Sequence, residues 1–158
     1  MNTIRFAEAR DIPRILELLV QVDMVHHRIR PDLFRGPATK YTEAELVEIL
    51  GLREELPVFV CVDVYDRVLG YAMCQLQHRS SNNVLIPVKT LYLDDLCVDE
   101  ACRGQHIGRR LFDYVKDYAS GIGCYNLTLN VWAGNEQALR FYEDCGLRPQ
   151  KYGMEVIL

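Results

Sequence analysis

The heptapeptide Arg103-Gly104-Gln105-His106-Ile107-Gly108-Arg109 has the composition of a turn that opens a helix. The run before it, Thr90–Val98, suits a strand, and Asp99-Glu100 bends the chain between the two. A strand that stops at a glycine-containing turn and feeds a helix leaves several N–H groups unpaired at the helix start, where the helix dipole adds partial positive charge. Such a turn seats phosphate. Many folds end a strand this way, so the turn gains weight from a second group downstream: Asn135, Ala138, Phe141-Tyr142 and Gly146 at spacings that fit one short helix and its stop. A third group is the acidic pair Asp94-Asp95 inside the strand itself. Counting back by twos from Leu96 puts Asp94 and Tyr92 on one face and Asp95 and Leu93 on the other, and a bulge near Asp95 would change that phase. A carboxylate beside an ammonium attracts the cation and relays its proton. The same pair can equally be solvated at a sheet edge or pair with arginines.

The turn and the downstream segment together resemble the GNAT superfamily of acetyl-CoA-dependent N-acetyltransferases, over most of the chain from about Ile4 onward. That family carries Arg/Gln-x-x-Gly-x-Gly/Ala at the turn, then Asn and Ala-x-x-Phe-Tyr on the following helix. Here the fourth place of the turn, usually Gly, is His106. The resemblance implies an α+β fold in α/β/α layers, as a single domain spanning 1–158. Its central sheet would be mixed and mostly antiparallel, splayed between the fourth and fifth strands, with helices on both faces. It also implies that the diphosphate of acetyl-CoA rests on N–H groups of Arg103, Gly104, Gln105, His106, Ile107, Gly108 and Arg109. Gly104 and Gly108, lacking a Cβ, permit close approach. If the family geometry needs positive φ at His106, that residue tolerates it at a cost of roughly 1 kcal/mol.

Further along the cofactor, the resemblance implies that the main chain of Leu96, Cys97 and Val98 pairs with pantetheine as another strand would, in a V-shaped slot opened by a bulge. A backbone N–H there would serve the thioester carbonyl. Asn135 would bind pantetheine or cap its helix. Tyr142 would donate a proton to, or hydrogen-bond, the leaving sulfur, since a phenol of pKa about 10 is neutral at pH 7. The order Leu93–Val98 looks like that of the polyamine acetyltransferases, where an acidic residue at the place of Asp94 acts as base, often through water; Asp95 is the neighbouring candidate. The implied reaction is direct attack by a primary amine, either a small polyamine-like cation or a protein or peptide amine. The alternative is a non-catalytic acyl-CoA-binding or partner-binding module on the same fold, although retention of Tyr142 and Asn135 favours the enzyme. Family members are often homodimers, which the apolar end Glu155–Leu158 permits.

Composition narrows the classes. A chain of 158 residues with 49% apolar and 25% charged residues is ordinary for a globular protein, which sets disorder and fibrous classes aside. A net charge of -4 argues against a general nucleic-acid binder and leans toward a cationic partner. The six cysteines form no Cys-x-x-Cys pair and find no histidines at ligand spacing, so no metal is expected and reduced thiols in a cytoplasmic protein are. No signal peptide or membrane-spanning run is expected.

The elements that must position these groups read as follows. Thr3–Ala7 alternates as a half-buried strand. Asp11 as N-cap and Pro13 in the first turn start a helix carrying Ile15, Leu16, Leu18, Leu19 and Val22, whose pattern loosens after Met24. The segment His26–Pro37 is broken by Pro and Gly, and in the family it walls the acceptor site, so His26 and His27 are candidate substrate contacts. Thr42-x-x-Glu45 has capping-box spacing before a short helix. Pro57–Val64 and Val68–Gln77 read as a hairpin about Asp66-Arg67, with Gly70 at a bulge or close approach. Ser80-Ser81-Asn82-Asn83 is a polar loop leading to Thr90–Val98. A helix from Ile107, stopped by Gly121-Ile122-Gly123, crosses to a parallel strand at Cys124–Val131. The Asn135–Cys145 helix and a final strand, Tyr152–Leu158, close the chain.

Overall fold

A computed structural model describes residues 1–78 and 82–158; Ser80 and Ser81 of the polar loop lie outside the described residues. The strands are β1 (Thr3–Phe6), β2 (Val58–Val62), β3 (Val68–His78), β4 (Lys89–Val98) and β5 (Asn126–Thr128). The helices are α1 (Ile12–Ile29), α2 (Glu43–Gly51), α3 (Ile107–Gly121) and α4 (Glu136–Asp144). The sheet order is β1-β2-β3-β4-β5. Every neighbouring pair is antiparallel except β4 with β5, which is parallel and joined through α3. This is the mixed, layered α+β arrangement that the resemblance implies.

Each face of the sheet buries its own core. On one side Ile15, Leu18 and Leu19 of α1 and Leu46 of α2 pack on Val58, Val60, Tyr71 and Met73. On the other, Leu111, Phe112 and Val115 of α3 pack on Phe59, Ala72, Leu91 and Leu93 together with Cys145 just after α4, with Phe141 and Tyr142 of α4 at the margin. The i, i+3, i+4 spacing of the α3 set is what lets a single stripe meet the pleated surface. Gly70 sits where β3, β4 and α3 converge: a Cβ there would lie 2.8 Å from Cys97 O and 3.2 Å from Leu111 Cδ1. No other residue type fits without moving backbone.

Four expectations change in detail. Asp11 belongs to a short 3-10 turn (Ala9–Asp11), and its carboxylate accepts from Glu8 N–H at 2.8 Å and from Arg5 at 2.7 and 3.0 Å instead of capping α1. Helix α1 runs on through His26-His27-Arg28 to Ile29 and ends at Arg30, the residue before Pro31, where the pyrrolidine ring disfavours helical backbone. The fifth strand is only Asn126–Thr128, because β4 and β5 diverge and strand geometry persists only where a neighbour supplies hydrogen bonds. The expected last strand at 152–158 is not formed: Tyr152, Met154, Val156 and Ile157 are exposed, and the segment is tied back through Glu155 to Arg30. All six cysteines are free thiols, as expected. Among the described residues, no helix is long and apolar enough to cross a membrane.

Candidate active site

The site begins where the sheet forks. β4 pairs with β3 along its length, but Asp95 faces Met73 while Leu93 faces Cys74, so Asp94 is an extra residue, a bulge. The bulge changes the phase of the strand. Leu91 and Leu93 point into the α3 core, whereas Cys97 joins the α1 core and Asp95 bonds Tyr71 there. On its other edge, β4 meets β5 only at Thr90↔Asn126, Leu91↔Leu127 and Tyr92↔Thr128. Asn130 Nδ2 donates to Tyr92 OH at 3.1 Å in the crotch of the fork. From Leu93 to Val98 this edge of β4 has no strand partner among the described residues.

The turn after β4 is fastened from below. Asp99 is buried, accepts from Arg14 of α1 in an ion pair, and caps the 3-10 turn Glu100–Cys102 through Ala101 N–H at 3.1 Å. Gln21 accepts from Glu100 N–H at 3.1 Å. Gly104 has φ 81° and His106 has φ 59° with ψ 18°, so both sit in the left-handed region. The first hydrogen bond of α3 is Arg110 N–H to His106 O at 3.1 Å, which leaves the N–H groups of Ile107, Gly108 and Arg109 without a helical acceptor. A Cβ on Gly108 would lie 3.4 Å from Phe141 Cζ and 3.6 Å from Val98 Cγ2, so the helix start approaches both walls closely. Free amides at a helix N-terminus, in a cleft narrowed by glycine, fit a diphosphate.

A cavity of about 510 Å³ runs from this turn into the fork. Leu96, Cys97 and Val98 line one wall; Arg103, Gly104, His106, Ile107, Gly108 and Arg109 line its mouth; Asn135 and Tyr142 stand opposite. Of the residues the sequence pointed to for cofactor binding, Gln105 alone is not in the lining. Val22 and Val25 of α1 close the floor, and the sequence offered no signal for them beyond an apolar helical stripe. Asn135 caps α4, accepting from Ala138 N–H at 3.3 Å. Arg109 is engaged by Asp113 at 3.0 Å and by Asp144 O at 3.1 Å. Burial pushes the Cys97 thiol up to about 12, and its hydrogen points to Leu18 O at 3.5 Å, so it is a packing thiol rather than a nucleophile. Tyr142 is half-buried, and burial together with the Asp95 carboxylate holds its phenol protonated well above the usual value.

Both carboxylates lie just past Leu96, on the α1–α2 side. Asp94 accepts from Lys40 Nζ at 2.9 Å and from Tyr41 OH at 2.8 Å. Asp95 accepts from Tyr71 OH at 2.6 Å. Burial pushes its carboxyl up to about 6 and the Asp94 charge adds to that, while the Tyr71 bond and Lys40 pull the other way. In the segment after α1, Phe34 meets His26 at 5.1 Å between centroids and Trp132 edge-on at 5.4 Å. Burial lowers the pKa of His26, and Lys40 lowers it further. His27 is structural, its ring bonded to Phe34 O at 2.7 Å. Tyr71 was legible in principle, since strand pairing sets it opposite Cys97. Lys40 and Tyr41 reach Asp94 through a loop whose path no local pattern announces.

A diphosphate seat at one end of a forked strand and an ionisable pair at the other suit a long phosphorylated carrier meeting a basic acceptor, which is the division of labour in acyltransferases. The chain belongs to the acetyltransferase (GNAT) family, whose model matches residues 22–147. Among curated relatives it is 30% identical over 59 residues to glucosamine 6-phosphate N-acetyltransferase of Arabidopsis thaliana, covering 37% of this chain and 38% of that one. It is 30% identical over 106 residues to peptidyl-lysine N-acetyltransferase YjaB of Salmonella typhimurium, covering 66% of this chain and 60% of the relative. It is 27% identical over 137 residues to thialysine N-epsilon-acetyltransferase of Bos taurus, covering 87% and 72%. The chain thus spans less than two thirds of the first two relatives. Among solved structures, a mutant of the BH1408 protein from Bacillus halodurans superposes with a TM-score of 0.93 at 31% identity, covering 99% of both chains.

Proposed function

We propose that this chain, acting as one catalytic domain over 1–158, transfers the acetyl group of acetyl-CoA to a primary amine by direct attack within a ternary complex. The observation that carries the reading is a single cavity that joins the amide-lined turn, the unpaired edge of β4 and the Tyr142 phenol, and that reaches Leu96, the residue after Asp95 in the chain. The N–H groups of Ile107, Gly108 and Arg109 hold the diphosphate, and Leu96–Val98 bind the pantetheine arm by main-chain pairing. Bound acetyl-CoA supplies an activated acyl carbon and a thiolate leaving group. Tyr142 gives the departing sulfur its proton. Asp95, ionised near neutral pH, takes the proton of the incoming ammonium, directly or through water. Asp94, already paired with a cation, anchors the acceptor's charge.

That division favours an alkylammonium acceptor, either a small cation or a peptide ε-amine. The named acceptors of two relatives, peptidyl lysine and thialysine, support the same class. The exposed apolar segment at 152–158 supports a homodimer in which this segment meets a second copy. Thiol release from acetyl-CoA with a panel of diamines, lysine peptides and amino sugar phosphates tests the proposal. Saturable, amine-dependent release, lost in Tyr142→Phe, is expected. Saturable acetyl-CoA binding with no amine-dependent release across the panel would make the chain a binding module instead.

A further inference from the structure

The acceptor end of the site already contains a primary amine. Lys40 Nζ lies 2.9 Å from Asp94 Oδ1 and 5.6 Å from the centre of the Tyr41 ring, the surroundings an alkylammonium substrate would seek. Its main chain is fixed on both sides. Ala38 N–H donates to Asp23 at 2.9 Å, Tyr41 OH donates to the same Asp94 carboxylate, and Thr42 caps α2 by accepting from Glu45 N–H at 3.2 Å. The Lys40 charge is felt by Asp95 and by His26, which places the ammonium among the groups that ring the acceptor end.

The chain has four lysines, and the other three are elsewhere. Lys89 is tied to Ile122 O, while Lys116 and Lys151 are exposed on α3 and after α4. Asp94 precedes Leu96, a wall of the cavity, by two residues, roughly 6–7 Å along a strand. Rotation about a four-carbon stem covers about that span.

We propose that Lys40 is an internal acceptor: the protein acetylates its own Lys40 Nζ, and the Lys40–Asp94 pair is its acceptor subsite occupied by itself. The inference rests on the acetyl-transfer reading above. In the step, the Lys40 ammonium loses a proton to Asp95. Its nitrogen lone pair forms a bond to the acetyl carbon, and the carbon–sulfur bond breaks. The sulfur leaves with its electron pair and takes the Tyr142 proton, giving N-acetyllysine and the free thiol of CoA. To become the neutral amide, the acylated nitrogen sheds its second proton through solvent to the Tyr142 phenolate, and Asp95 releases the first to bulk solvent. The resulting amide is neutral, so it no longer pairs with Asp94, and the carboxylate opens to an external ammonium.

The test is incubation of the full chain with acetyl-CoA and no added amine, followed by intact-mass and peptide mapping, beside the amine panel run on the same protein. One acetyl group should appear at Lys40, at a rate per molecule independent of protein concentration and about tenfold or more faster than at Lys116 or Lys151. Tyr142→Phe should slow it, and the conservative Lys40→Arg should remove it. Acetylation of Lys116 and Lys151 ahead of Lys40, as bulk chemical modification would give, overturns the inference. An unmodified Lys40 while external amines turn over overturns it and leaves the proposed function standing. Failure of both reactions overturns both.

Discussion

Asp95 illustrates how a single side chain trades stability for chemistry. Burial pushes its carboxyl up to about 6 from an ordinary 3.8, so across that window the folded chain keeps a proton that the unfolded chain has released. Stability from this group therefore falls as pH rises through the window, and at neutral pH its ionised form is a standing cost of burial. Asp95→Asn should lower kcat by about 10²-fold or more and abolish a rising limb of the kcat–pH profile near pH 6. The same variant should raise Tm at pH 7 more than at about pH 4, where the native carboxyl is already neutral. An unchanged limb would move the base to another residue. The sequence marked both carboxylates and counted their faces by alternation, with a change of phase expected if a bulge fell near Asp95. Alternation fails across a bulge, and an extra residue at Asp94 is invisible until the β3 register is known. The partners Tyr41 and Lys40 come from a loop, where no period exists to read.

At the level of elements, the turn between β4 and α3 was the most legible part, because strand, glycines and helix stripe all agree there. His106 adopts the left-handed conformation usual for glycine, which costs about 1 kcal/mol for an ordinary residue. His106→Gly should therefore raise Tm slightly without weakening acetyl-CoA binding. His106→Val, with a branched Cβ in that conformation, should lower both. Melting curves and a binding titration on the two variants check this; equal Tm values would show that the strain is absent. The short β5 and the long α1 depart from their local sequence patterns for a common reason. Local pattern records what a segment prefers, whereas a strand also needs a partner, and a helix stops at the steric block ahead of Pro31 rather than where apolar spacing fades.

Across the whole molecule, the sequence conveyed the layer order well, since each amphipathic stripe had a sheet face to cover. It conveyed the chain end poorly, since an apolar run that reads as a strand is only a candidate until an edge accepts it. Tyr152, Met154, Val156 and Ile157 remain solvent-facing in a single copy. If a second copy covers them, removal of 152–158 should convert a dimer to a monomer in sedimentation velocity, while far-UV circular dichroism stays unchanged. A dimer that survives truncation would place the contact elsewhere.

The fork has a further consequence for how occupancy can be watched. Alternate amides of β4 beyond Tyr92 point toward a gap, so in the free protein they should take up deuterium quickly despite lying in the middle of the sheet, whereas those bonded to β3 should be slow. Cofactor laid along that gap would quench uptake at every second residue from Leu93 to Val98, a footprint readable by mass spectrometry before any acceptor is known.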